Sequence, residues 1–179
     1  MGVWTERSGW YPYGAMALKP IHRDGIPRAF EKAERYRLLN EPFESESICL
    51  DILAIEPNHQ PALTCLLLSL TDQFSHGAGQ ALERARGLLS RFSSDYEKAY
   101  YGAIISERFA KRKLRDGHPG ARALAYGHLQ EAMALFQQAE KLAPAGNDDA
   151  VLRYNACVRM IERNALTAPS ADDPEQPLE

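Results

Sequence analysis

Arginine and histidine are the residues of this chain whose types and spacing could support catalysis. Arg122 stands six positions before His128, in a segment that we predict to be helical. His128 could act as a general acid or base, and Arg122 could stabilise negative charge that develops in a reaction. Six residues correspond to about 1.7 helical turns, so the two side chains would lie far apart around the helix. We therefore expect no catalytic residue.

The sequence predicts neither a metal site nor a phosphate-binding loop. No histidine has a second histidine or a cysteine one helical turn away, as a metal-binding helix would. Gly77-Ala78-Gly79 and the segment 117–120 are turns that lack the lysine and the preceding strand of a phosphate loop. We therefore expect no cofactor. The histidines are scattered along the chain: His22, His59, His76, His118 and His128.

A basic run near the middle of the chain is a second candidate for binding chemistry. Its cations could contact RNA or another anion, but cations are equally suited to the C-terminal end of a helix, where they complement the helix dipole. Binding through the run would weaken steeply between low and moderate salt. The run contains Arg108, Lys111, Arg112, Lys113 and Arg115.

Composition indicates one soluble, cytoplasmic domain. The chain has 179 residues and a formal net charge of −3, from 21 basic and 24 acidic residues. This balance does not favour general affinity for nucleic acid or membrane. The longest strongly apolar run, residues 65–70, is far shorter than the ~20 residues that span a bilayer. Cys49, Cys65 and Cys157 are too widely spaced for a zinc site, so we expect buried thiols in a reducing compartment.

Three regions follow one another. Residues 1–25 form an aromatic-rich arm that contains Trp4, Trp10, Tyr11 and Tyr13. The arm would either cover apolar surface of its own domain or be presented to a partner or a second copy. Residues 26–166 show helical periodicity, and the acidic, proline-rich tail 167–179 is expected to be disordered.

Apolar residues at spacings of three and four predict an all-α protein with seven helices. Prolines and capping residues mark the helix ends. Five predicted helices span residues 27–39, 43–55, 80–92, 95–115 and 121–143. Another opens at residues 59–61 and runs through 70, and the last begins after 147–149 and ends near 166.

A spaced pattern recurs in the second helix of two predicted hairpins. It reads Ser45, Cys49, Ile52, Pro57 in one copy and Ala132, Phe136, Ala139, Pro144 in the other. The chain resembles tetratricopeptide repeat proteins, whose second helix favours a small residue, an aromatic, an alanine and a closing proline. The first helices fit too, in the pairs Ala33 with Tyr36 and Gly102 with Ile105.

The resemblance covers residues 26–165 and implies a right-handed solenoid of three hairpins with a final capping helix. It implies a non-catalytic adaptor that binds a peptide or helix of another protein in a concave groove, formed by solvent-facing residues of the first helices. These residues do not match the lysine and asparagine clamp of some relatives, which favours a mixed-charge or internal peptide. The implied groove residues are Phe30, Glu34, Arg37, Thr64, Leu68, Asp72, Ala103, Ser106, Glu107, Asn155 and Arg159.

The spacing of Arg122 and His128 also resembles the loose signature of small helical ribonucleases of the HEPN type. Ala123 stands where that signature has a polar residue beside the arginine. The resemblance implies RNA cleavage, with His128 as the acid or base and Arg122 stabilising phosphate charge, and it is the alternative to the adaptor.

Overall fold

The computed structural model describes residues 17–118 and 120–168. The aromatic segment 10–13 and most of the tail 167–179 lie outside these residues, so the predictions made for them stay predictions. The side chains of His76 and Ala78 also lie outside the description.

Seven α-helices and no strand occur in the described residues, which confirms the all-α prediction. One predicted end was wrong: the fourth helix stops at Leu88, and a short 3-10 turn, Leu89–Arg91, leads to Phe92 in extended conformation. Phe92 leaves the helix with its ring stacked on Tyr101, at 5.0 Å between centroids. The helices are α1 (Ile26–Leu38), α2 (Pro42–Ile55), α3 (Gln60–Asp72), α4 (Ala78–Leu88), α5 (Asp95–Asp116), α6 (Ala121–Leu142) and α7 (Asp149–Arg163).

Local sequence signals account for most of the helix ends. Prolines occupy the first turns of α1, α2 and α3, where a missing N–H removes no helical hydrogen bond. The His59 Nδ1 atom accepts from the Ala62 amide at 3.1 Å, and the Ser94 hydroxyl accepts from the Glu97 amide at 3.5 Å. Gly117 ends α5 with a φ of 67°, a left-handed conformation that favours glycine.

Each helix packs against the next, and the apolar residues form two core clusters. One cluster is built mainly from α1 to α4, and the other from α5 to α7. Leu68 of α3 and Tyr101 of α5 pack against both clusters. The two clusters therefore meet where α3 contacts α5. None of the helices within 17–118 and 120–168 combines the length and apolar character needed to cross a bilayer.

The recurring pattern of the second helices lies in these cores. The three helical positions of each copy have no exposed surface, whereas both closing prolines are exposed. The buried residues are Ser45, Cys49 and Ile52 of α2 and Ala132, Phe136 and Ala139 of α6.

Polar contacts link the odd-numbered helices to one another. Asp72 at the end of α3 accepts from Arg37 of α1 at 2.9 Å and pairs with Arg108 of α5. Arg153 of α7 lies 3.6 Å from the carboxylate of Glu107 on α5. These ion pairs therefore link α1 to α3, α3 to α5 and α5 to α7.

Candidate functional site

A cavity of about 550 Å³ opens between α1, α3 and the first turn of α5. Five of the predicted groove residues line it: Phe30, Glu34, Arg37, Thr64 and Leu68. Its volume lies within the range of about 300–1,000 Å³ that is usual for binding pockets. Residues from helices far apart in the sequence are therefore brought together at one concave site.

The cavity has apolar walls. The Phe30 ring packs against the His59 ring, with 5.7 Å between centroids. Leu38 contributes a side chain that is 83% exposed, and Cys65 lies at the bottom with 5% exposed. Together with Leu68, these side chains offer an apolar surface that is accessible from solvent.

Hydrogen bonds hold the polar groups at the rim. The Gln60 amide donates to the Asn58 carbonyl at 3.1 Å and accepts from the Ser93 amide at 3.0 Å. Burial raises the pKa of Tyr101, and a hydrogen bond with Thr64 partly opposes that rise. These contacts fix the orientation of Gln60 and Thr64 before any ligand arrives, which lowers the entropy cost of binding.

An ion cluster closes the end of the cavity nearest the C-terminus of α3. Asp72 is shared between Arg37 and Arg108, and Arg108 also donates to the Thr71 hydroxyl at 2.8 Å and the Leu68 carbonyl at 3.3 Å. Burial lowers the pKa of Arg108, and the Asp72 carboxylate opposes that effect. The cluster ties α1, α3 and α5 together and neutralises part of the local positive charge.

Three predicted groove residues do not face solvent. Ala103, Ser106 and Glu107 are buried, with at most 3% of their surface exposed. The expectation was wrong because α5 is covered along this stripe: Ala103 lies in the second core cluster, and Glu107 faces Lys111 and Arg153.

The α5 residues that do face α1 and α3 were not among the predicted set. Glu97 lines the cavity, Tyr101 contacts Thr64, and Arg108 reaches Asp72. Their separations of four and seven residues place them on one helical face, a signal that was present in the sequence.

The two predicted residues of α7, Asn155 and Arg159, are exposed as expected but do not line the cavity.

A buried carboxylate lies between α5 and α7. Glu107 is fully buried, and its Oε2 atom has no hydrogen-bond partner within the described part of the chain. Its neighbour Cys157 is also fully buried, and burial, reinforced by the Glu107 charge, raises the pKa of its thiol to about 12.

The basic run borders a second, smaller cavity of about 340 Å³. Arg108, Lys111, Arg112 and Arg115 line it, with Asp72 as the acidic group. Most of these cations are already engaged, and Arg112 donates to the Phe74 carbonyl at 2.9 Å and pairs with Asp116. Arg115 is exposed and joins no ion pair with the residues that are described.

Arg122 and His128 contact different parts of the molecule. Arg122 donates to the Asn164 and Ala165 carbonyls at the end of α7. The His128 ring packs edge-on against Phe109 at 4.7 Å, and its Nδ1 atom lies 3.2 Å from Glu131. No contact joins the two side chains.

All three cysteines are buried as unpaired thiols, as expected from the sequence. Cys65 hydrogen-bonds with Cys49 and lies 3.4 Å from the Ser45 hydroxyl, and the hydrogen bond from Cys49 lowers the pKa of Cys65. The described residues contain no group of three or more histidine, cysteine or acidic side chains that could hold a metal ion.

Comparison of the chain with protein-family models, with curated proteins and with solved structures gives no match.

Proposed function

We propose that this chain is a non-catalytic adaptor of the tetratricopeptide type, which binds a peptide or helix of a partner protein in the cavity between α1, α3 and α5. The observation that carries the proposal is the composition of that cavity. Five residues that the resemblance assigned to a groove, from two helices, line a single opening of about 550 Å³. Its apolar walls and fixed polar rim suit an extended or helical peptide.

Two further observations support the solenoid arrangement that the proposal assumes. The small and aromatic positions of the repeat pattern are buried where successive helices pack. Ion pairs join the odd-numbered helices in chain order, and Glu46 of α2 pairs with Arg84 of α4, so α2 is also linked to α4.

The proposal is tested by capturing partners from the native host with three forms of the full chain. Leu38→Glu places a charge in the cavity at a side chain that is 83% exposed, so folding is little affected. Leu152→Glu is the matched control, because Leu152 is 63% exposed on α7 and does not line the cavity. We expect Leu38→Glu to lose proteins that the wild type and Leu152→Glu retain. Identical partner lists for all three forms would rule out the groove.

A second candidate function, binding of RNA or another anion, is favoured by the four basic residues that line the smaller cavity. Arg115→Ala removes its exposed cation, and affinity for a single-stranded RNA probe should fall in that variant and collapse between low and moderate salt. Partner binding that persists at moderate salt would favour the groove instead. Since no contact joins Arg122 to His128, no observation favours RNA cleavage.

A further inference from the structure

We infer that the cavity between α1, α3 and α5 selects a partner segment in which an apolar side chain stands beside a lysine or arginine. This inference rests on the proposed function and names the chemistry of the partner. It follows from the charges that remain accessible at the site after the internal ion pairs are taken into account.

Two carboxylates of the cavity remain without a cationic partner. Glu34 on α1 is exposed, Glu97 on α5 is half-buried, and both line the opening. Neither takes part in an ion pair with any residue of the described ranges. Because they are carried by two helices on either side of α3, a ligand that enters the cavity passes close to negative charge on both sides.

Arg37, the cation that lines the cavity, is partly compensated by the Asp72 carboxylate. Arg37 donates to Asp72, and Asp72 also holds Arg108, whose other hydrogen bonds are directed at the last turn of α3. The first turns of α3 and α5 contribute partial positive charge of about half a unit each. In both helices a capping side chain, from His59 or Ser94, accepts one of the exposed amides. The Asp72 cluster keeps one net positive charge, which lies against the C-terminal end of α3, where the helix dipole adds partial negative charge. The two full carboxylates exceed the positive charge that remains.

The preference for an apolar side chain in the ligand comes from the apolar walls of the cavity. Phe30, Leu38 and Leu68 present hydrocarbon surface, and removal of such surface from water supplies most of the affinity in peptide grooves. A basic residue next to the apolar anchor would contact Glu34 or Glu97 while its neighbour enters the cavity. An acidic residue at the same place would be repelled, so the carboxylates discriminate between ligands more than they add affinity.

Each carboxylate is expected to change the affinity for a charged ligand by a moderate factor. Exposed ion pairs change affinity by about two- to fivefold each. Replacement of both Glu34 and Glu97 by glutamine should therefore lower the affinity for a basic, apolar peptide by about tenfold. The affinity for a neutral apolar peptide should be nearly unchanged.

The test is selection of displayed random dodecapeptides on the full-length protein. Groove ligands are the peptides enriched by the wild type and lost with Leu38→Glu. We expect lysine or arginine to be enriched beside leucine, methionine or phenylalanine in these peptides. The double variant Glu34→Lys/Glu97→Lys should instead enrich aspartate and glutamate. Glu83→Lys/Glu140→Lys, which reverses two exposed charges outside the cavity, should behave like the wild type.

The outcomes separate this inference from the function on which it rests. Two results overturn the charge selectivity and leave the groove in place. In the first, the peptides that depend on Leu38 show no enrichment of lysine or arginine. In the second, the Glu34→Lys/Glu97→Lys variant enriches the same basic peptides as the wild type. Failure to enrich any peptide, or enrichment of the same peptides by wild type and Leu38→Glu, overturns both. Fluorescence anisotropy with a labelled selected peptide then measures the tenfold loss expected for Glu34→Gln/Glu97→Gln, and an unchanged affinity counts against the inference.

Discussion

Removal of the Asp72 carboxylate should expose how strongly the three-helix ion cluster stabilises the fold. Asp72 is the acceptor that Arg37 of α1 and Arg108 of α5 share. Asp72→Ala leaves both guanidinium groups in place without a counter-charge. Arg108 is affected more, because only 19% of its side chain is exposed.

The magnitude follows from burial. Loss of one partner of a fully buried ion pair costs about 3–5 kcal/mol, since the remaining charge is left uncompensated. Asp72 and Arg37 are 26% and 25% exposed, so water can solvate part of the change. We therefore expect Asp72→Ala to lower the free energy of unfolding by about 2–3 kcal/mol. For a chain of this size that corresponds to a fall in Tm of about 5–10 °C.

Thermal and urea unfolding followed by circular dichroism would measure the loss. The control is Glu83→Ala, which removes an exposed ion pair with Arg86 and should change stability by less than about 1 kcal/mol. Asp72→Ala/Arg108→Met should recover more than half of the loss, because the more buried guanidinium is removed and only Arg37, whose side chain is 25% exposed, is left without its partner. A double variant no more stable than Asp72→Ala, or an Asp72→Ala change as small as the control, would refute the reasoning.

Three other predictions concern the core and the alkaline limit of stability. Phe136→Ala should destabilise the fold by about 3–5 kcal/mol in urea unfolding, whereas Leu152→Ala, at an exposed position, should stay within about 0.5 kcal/mol; equal effects would contradict the packing. Gly102→Ala should stabilise α5 by about 0.5–1 kcal/mol, because the added Cβ would meet its nearest side-chain atoms at 3.5 and 3.7 Å, an ordinary contact; a lower Tm would count against this. Burial raises the pKa of Tyr101 in the folded chain. The stability that the neutral phenol contributes is therefore complete below the pKa of Tyr101 in the unfolded chain, about 10, and is lost as pH rises through its pKa in the folded chain. Tyr101→Phe should therefore flatten the fall in unfolding free energy above that pH, and a slope equal to that of the wild type would argue against the assignment.

The helices could be predicted because their signals act over a few residues. Prolines in the first turns, the Ser94 cap and apolar spacings of three and four placed six of the helices close to their observed bounds. The end of α4 was missed by about one turn. Phe92 continues the apolar spacing, but its ring stacks on Tyr101 of the next helix, a contact that no local signal encodes.

The candidate site was predicted in part: most of the residues assigned on α1 and α3 line the cavity, whereas those assigned on α5 do not. On α1 and α3 the resemblance assigned five residues that line the cavity. On α5 it assigned Ala103, Ser106 and Glu107, which are buried. A long helix packed between several neighbours has apolar or small residues on more than one face, so periodicity alone could not tell which face remains open.

The sequence by itself therefore determined the all-α class, the number of helices and the apolar positions of the repeat pattern, because each depends on residues within a few turns of one another. Only the tertiary structure decided which charges remain accessible. Glu34, Arg37 and Glu97 look alike in the sequence as polar residues on helices. In the folded chain Arg37 is paired with Asp72, whereas the two carboxylates have no such partner, because an ion pair forms only where packing brings distant side chains within contact.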